Sequence, residues 1–388
     1  MIRLFLLLFV FCCIISALCS LVIRKTGSFF GLIDKPGYRK IHDKPMPTGG
    51  GLGIWFAVLL PFLLFTILVY SIQNSIQNYS FSSPAPWIFR FLGALSFTLP
   101  ENIGIHLGGF LYQSTRLWQL LGLGSVLVLL GTLDDRFGLS WKIRLFVQFL
   151  VAGLAVYFGW KATFFVDIPW LTSILSVLWI VALINSFNML DNMDGLSAGV
   201  ALICSIFFAL VMFLFAKNPL SGEPQLFLGG FLLVLAGSLL GFLFHNFPSA
   251  RIFMGDGGAY FIGFLLATTT LSATFVGKNT PPQAIFVPLC ILAVPLYDLT
   301  SVVLIRLLNG KSPFVGDKNH YSHRLVALGL SRTGAVLTIY LTTTICSISA
   351  LFLYQVNWFS ACLIFVQIIL IIALVAVLEY YGRRKSNN

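Results

Sequence analysis

Trp170-Leu-Thr-Ser-Ile-Leu-Ser-Val-Leu-Trp-Ile-Val-Ala-Leu-Ile-Asn185-Ser-Phe-Asn188-Met-Leu-Asp191-Asn-Met-Asp194-Gly195 is an apolar run that ends in amides and carboxylates. Its apolar part is close to the roughly 20 residues a helix needs to cross a bilayer. Asn185, Asn188, Asp191 and Asp194 recur every three residues, which on a continuing helix stacks them along one face. Oxygen-bearing groups at the wet end of a membrane helix suit a hard cation and a phosphate. Only 13 of the 388 residues are acidic, so their placement carries information.

The rest of the chain agrees with a membrane setting. It is 58% hydrophobic and only 10% charged, with a mean hydropathy of +0.93. Soluble domains run near a quarter charged. The pattern predicts an all-α, polytopic integral membrane protein with about eleven spans, at 3–23, 50–72, 117–133, 141–160, 170–189, 197–216, 226–245, 258–277, 284–307, 333–355 and 359–378. Residues 1–388 are read as one transmembrane domain, with 73–116 as an extracytoplasmic loop insertion and Leu4–Ile23 as a retained first helix. The seven cysteines all fall in apolar runs without Cys-x-x-Cys spacing, so no disulfide framework or zinc site is indicated.

Alternating the loops puts 18 of the 24 Lys and Arg on one side. That side is therefore cytoplasmic, with the N-terminus outside and the C-terminus inside. Ten of the 13 acids fall there too, although the charge rule says nothing of acids. The cytoplasmic face is thus the candidate site of chemistry, and the net charge of +11 partly fits an anionic lipid or a phosphorylated substrate there.

Five loops on that face carry the polar residues. In 34–51, Arg39, Lys40, His42 and Lys44 precede Gly49–Gly51, whose backbone N–H groups at a helix start would favour an anion. In 134–144, Asp134 and Asp135 repel unless a cation relieves them, and the adjacent Arg136 could do so; Lys142 and Arg144 follow. The third loop is the Asn185–Asp194 row, in which Asp194 could also cap the helix starting near Leu196. In 251–258, glycines flank Asp256, giving a phosphate or a metal–phosphate complex close approach to backbone, and Phe253 could stack on a base. In 309–325, His320, His323 and Arg324 suit phosphate contact better than zinc, for which the third and fourth ligands are missing.

Together and in this order, the five loops resemble the polyprenyl-phosphate N-acetylhexosamine-1-phosphate transferases (glycosyltransferase family 4). That family includes the phospho-MurNAc-pentapeptide translocases. The resemblance covers about 34–332. Asp34-Lys-Pro…Arg39-Lys40-x-His42 and Asp317-x-x-His320-x-x-His323 lean towards its undecaprenyl-phosphate GlcNAc-1-phosphate branch, with Ser322 standing where that branch usually has another His. The resemblance implies transfer of a sugar-1-phosphate from a UDP-N-acetylhexosamine to a polyprenyl phosphate, with release of UMP. This would be the first membrane step of cell-envelope polysaccharide assembly, in the inner (cytoplasmic) membrane, with the site facing the cytoplasm. It implies Mg²⁺ (Mn²⁺ as a substitute) on Asn188 and Asp256, an acidic site completed by Asp134, Asp135, Asp191 and Asp194, and Phe253 against uracil. His320, His323 and Arg324 would meet donor phosphates; Lys40, His42 and Lys142 would meet acceptor or donor phosphate, and Asn185 belongs to the substrate-binding set. Span 284–307, with Pro288, Pro295 and Asp298, would bend to form a lipid groove. A homodimer stays open, and no nucleic-acid partner is implied. An intramembrane prenyltransferase would show two Asp motifs rather than five loops. A transporter would place its charges at the bilayer midplane.

Overall fold

The computed structural model describes residues 2–34, 45–77, 103–162, 168–217, 222–273, 281–317 and 319–386, with backbone alone at 2, 72–77, 103–113 and 378–386. Lys40 and His42 lie outside the described residues, as do 78–102 of the insertion. The helices are α1 (Ile2–Thr26), α2 (Gly50–Gln77), α3 (Ile103–Phe137), α4 (Trp141–Tyr157), α5 (Pro169–Leu190), α6 (Leu196–Leu214), α7 (Leu226–Asn246) and α8 (Gly255–Ser272). A 3₁₀ turn (Pro282–Phe286) then leads into α9 (Val287–Ile291), α10 (Ala293–Leu308), α11 (Tyr321–Ala327), α12 (Arg332–Phe352) and α13 (Trp358–Ser386).

Each of the eleven expected ranges falls on a helix. Eight described helices are long and apolar enough to cross a membrane, and the pair Pro282–Ile291 and Ala293–Leu308 makes up to nine. The chain is therefore an all-α, multi-pass membrane protein. Helices α4 and α8 are shorter, at 17 and 18 residues. Within the 73–116 range, α2 runs on to Gln77 and α3 begins at Ile103. A two-residue antiparallel ladder, β1 (Ile33–Asp34) with β2 (Met46–Pro47), accompanies the helices and closes the loop between α1 and α2 at its base.

Helix α8 is the axis of the bundle. It is apolar on nearly every side, and such a helix is stable only when surrounded. All its residues from Gly257 to Leu271 are buried, packed by α2, α3 and α5. Small residues set these distances. A Cβ on Gly131 would come 2.1 Å from the Gly257 nitrogen, and one on Gly51 2.3 Å from the Gly258 Cα. Helices α1 and α13 lie at the other extreme. Only 17% and 11% of their apolar windows are buried, so they offer apolar flanks to lipid.

The ninth range bends as expected. Its two halves meet at 66° around Leu292, between Pro288 and Pro295. Proline removes an N–H and clashes with the preceding turn. The carbonyl of Pro295 is satisfied from α5, where Ser186 Oγ donates to it at 2.6 Å.

Candidate active site at the helix ends

The site begins where α3 ends. Asp134 is 7% exposed, yet both its oxygens are engaged. Oδ1 accepts from Leu139 N at 2.7 Å; Oδ2 accepts from Arg144 Nη1 at 2.8 Å and from Tyr260 Oη at 3.3 Å. Arg144 reaches back because Ser140 caps α4, its hydroxyl accepting from Ile143 N at 3.5 Å, which turns the chain sharply between the two helices. Arg136, the expected counter-charge, lies instead over the Phe137 ring at 5.1 Å. Neighbours on a helix point about 100° apart, so adjacency in sequence is poor evidence of pairing.

Asp135 crosses to α8. Its two oxygens accept from the Asp256 N–H at 3.2 and 3.1 Å, supplying the cap that the α8 N-terminus needs. Gly255 makes this possible: its φ is +77°, and a Cβ there would lie 2.3 Å from Asp135 Oδ2. Asp256 Oδ1 accepts from Asn188 Nδ2 at 2.7 Å, Oδ2 lies 3.5 Å from Tyr260 Oη, whose single hydrogen it shares with Asp134, and Arg144 Nη1 stands 3.7 Å from Oδ2. One arginine thus serves carboxylates from two helices.

The glycine readings change. Gly50 N donates to the Phe253 carbonyl and Gly51 N to the Met254 carbonyl, both at 2.9 Å, so these groups hold the 251–254 loop rather than an anion. A Cβ on Gly257 would meet the Val128 carbonyl at 2.8 Å, and one on Gly258 the Met254 Cγ at 2.4 Å. They permit close helix packing, not phosphate approach. Phe253 is half-buried on this loop.

The Asn185–Asp194 row is not one helical face. Helix α5 stops at Leu190, Asp191 is its C-cap, and Gly195 (φ +72°) starts α6. Asn185 donates to Gln148 Oε1 on α4 at 2.7 Å, and Asn188 turns to Asp256. Asp194 does not cap α6; its Oδ2 accepts from Ala250 N at 2.8 Å and pins the loop before Asp256. Asp191 stays in the acid cluster. Burial, then the charges of Asp256 and Asp194, push its carboxyl up to about 8.

The last loop docks on this turn through Ser322, which donates to Asn192 Oδ1 at 2.5 Å. His320 Nδ1 lies 3.0 Å from Asp298 Oδ2, and the rings of His320 and His323 are 6.2 Å apart. Arg324 is 4% exposed: it bonds the Asn319 carbonyl and Ser301 Oγ and lies 5.5 Å over Tyr297. The loop is closed at its base by Arg306, 3.1 Å from Asp317 Oδ1. Burial opposes ionisation of Asp317, but the Arg306 and Asn319 bonds outweigh it and bring the carboxyl down to about 2. Across the mouth, Phe314 stacks on Trp141 at 4.2 Å and 3°, and Lys142, exposed, stands 5.8 Å from the Trp141 ring.

Five helix ends therefore meet at one end of the bundle. Arg144, Tyr260, Gln148 and Asn192 belong to the assembly but carried no assigned role in the sequence. Tyr260, one turn beyond Asp256, was the most accessible clue.

Comparison with known proteins places this geometry. Residues 117–274 match the model of glycosyl transferase family 4, and that stretch contains Asp134, Asp135, Asn188, Asp191 and Asp256. A Bacillus subtilis protein described as a probable undecaprenyl-phosphate N-acetylglucosaminyl 1-phosphate transferase is 33% identical over 357 residues, covering 90% of this chain and 85% of its own. The chain belongs to glycosyl transferase family 4. Two further members are similar over most of their length. The decaprenyl-phosphate N-acetylglucosaminephosphotransferase of Mycolicibacterium smegmatis is 30% identical, covering 84% of this chain and 77% of its own. The undecaprenyl-phosphate alpha-N-acetylglucosaminyl 1-phosphate transferase of Escherichia coli K12 is 29% identical, covering 86% and 79%. Membership in glycosyl transferase family 4 makes the chain a sugar-phosphate transferase.

Proposed function

We propose that this family member transfers an N-acetylhexosamine-1-phosphate, GlcNAc-1-phosphate first among them, from a UDP-sugar to undecaprenyl or a related polyprenyl phosphate, releasing UMP. The reaction takes place at the cytoplasmic face of the inner membrane, in a chain of eleven spans with its N-terminus outside and its C-terminus inside. The observation that carries this reading is the convergence of Asp134, Asp135, Asp256, Asn188 and Arg144 from four helices at one bundle end, with the His320 loop docked beside them. That place meets a lipid phosphate from the bilayer and a nucleotide from the cytosol.

The donor set fits Mg²⁺. Among the described residues no three His, Cys, Asp or Glu side chains converge on one metal-binding point. Asn188 and Asp256 touch, however, and Mg²⁺ is usually held by one or two protein oxygens, waters and substrate phosphates rather than by a full protein cage. When bound, the ion would neutralise the pyrophosphate and the departing UMP. Asp135 fixes Asp256 through the start of α8, and Asn188 fixes the carboxylate itself. Asp134 accepts from Leu139 N and from Arg144, with the Tyr260 hydroxyl also in reach, which suits it to aiming Arg144. No strong base is needed: a phosphate monoester has its second pKa at about 6 and attacks as a dianion near neutral pH. Direct attack by the lipid phosphate is thus preferred over a phosphorylated aspartate.

Purified protein given labelled UDP-GlcNAc, undecaprenyl phosphate and Mg²⁺ should release UMP and form a sugar–diphosphate lipid. Asp256→Asn should lower kcat by about 10²–10³-fold, the range for a lost electrostatic group in a transfer site. No UMP from any UDP-N-acetylhexosamine would overturn the assignment.

A further inference from the structure

We propose that Asp298 is the positioning residue for His320, fixing its tautomer and direction at the reacting phosphates. The carboxylate lies on α10 with no exposure at all. Its two oxygens are both taken by the start of α11: Oδ1 accepts from Tyr321 N at 2.6 Å, and Oδ2 lies 3.0 Å from His320 Nδ1. An ionised carboxylate only accepts, so the imidazole must present N–H at Nδ1. A buried carboxylate without such a donor would be costly. His320 itself is 6% exposed. Among the described residues Nε2 meets no partner, so it is the polar atom His320 has left to offer a ligand. Asp298 reaches this position because the chain bends by 66° just ahead of α10. The arrangement resolves what the bend does beyond shaping a flank: it delivers a buried acid to the base of the last loop.

This inference rests on the transferase reading, in which His320 meets donor phosphate. With Asp298 behind it, His320 can carry a proton on Nε2 as the cation, or turn a bare Nε2 to its ligand as the neutral ring. The protein side of that interaction is set by the second partner, as outer-shell carboxylates set ligating imidazoles elsewhere.

Asp298→Asn keeps an oxygen for Tyr321 N but turns an N–H₂ towards Nδ1, which demands the opposite tautomer. Nitrogen-15 imidazole spectra of the whole protein, with the five His labelled and His320 assigned by loss in His320→Gln, read this directly. The expected result is Nδ1–H in the parent and Nε2–H in the variant; an unchanged tautomer overturns the proposal whether or not the protein turns over. In the transfer assay, Asp298→Asn should lower kcat by about 10–100-fold, the usual cost of losing such a partner, with KM for UDP-GlcNAc moving less than about threefold. In a His320→Gln background the same substitution should change kcat by less than about twofold, since the two act as a unit. Additive losses would mean Asp298 acts through the fold instead. Absence of transfer by the parent protein would count against the transferase reading, leaving the tautomer result to decide this one.

Discussion

Asp256 has one carboxylate and four neighbours that hold it: the Asn188 amide, the Tyr260 hydroxyl, the Arg144 guanidinium and, through its own N–H, Asp135. Asp191 stands beside them, and among the described residues no salt bridge to it is formed. Its carboxyl is pushed up to about 8, against about 3.9 for an ordinary Asp. Between those values the folded chain keeps a proton the unfolded chain has released, so stability falls as pH rises from about 4 to about 8. In magnesium-free buffer the melting temperature should decline over that window, and Asp191→Asn should flatten the decline; an unchanged slope in the variant would place its origin elsewhere. The acids themselves were legible in the sequence because acids are scarce and these lie at the ends of apolar runs. Their partners were not. Arg136 looked like the counter-charge because it is adjacent, whereas Arg144 holds that place across a capped turn. A three-residue period suggested one face, and the helix ended before the third member.

At the scale of elements, α2, α3 and α8 touch through glycine, which fixes where Asp256 starts its helix. Gly131→Ala would drive a methyl into the α8 backbone at Gly257. Overpacking of this kind costs about 1–3 kcal/mol where a side chain can yield, and backbone yields less readily. Gly122, also on α3, has nothing within 4 Å of its would-be Cβ, so Gly122→Ala should be neutral or stabilising by about 0.5–1 kcal/mol. Thermal unfolding and transfer rate measured on both variants should separate them: Gly131→Ala loses both, Gly122→Ala loses neither. Equal behaviour would mean that contact does not set the site. Helix positions were legible from length and apolarity, and the bend from Pro288 and Pro295. The purpose of the glycines was not, because a glycine that admits a phosphate and one that admits a helix look identical in a single chain. The acid that the bend carries in, Asp298, was visible as a charge in an apolar run but not as the partner of an imidazole 22 residues away in sequence.

For the whole molecule, charge asymmetry remains the argument for orientation. On the eleven-span reading of the sequence, 18 of the 24 basic residues fall on the side assigned to the acids. A fluorescent-protein fusion at the C-terminus should be bright and an alkaline phosphatase fusion there inactive, with the reverse at the N-terminus; the opposite pattern would invert the molecule and strand the site outside. The docking of the last loop on the α5–α6 turn, through Ser322 and Asn192, also sets an order in time. A ribosome adds about 5–20 residues per second. Once Tyr260 is in place, every carboxylate of the cluster and Arg144 have been made, while His320 is still seconds away. A chain two-thirds made therefore carries the whole acid cluster before the segment with His320 and His323 exists.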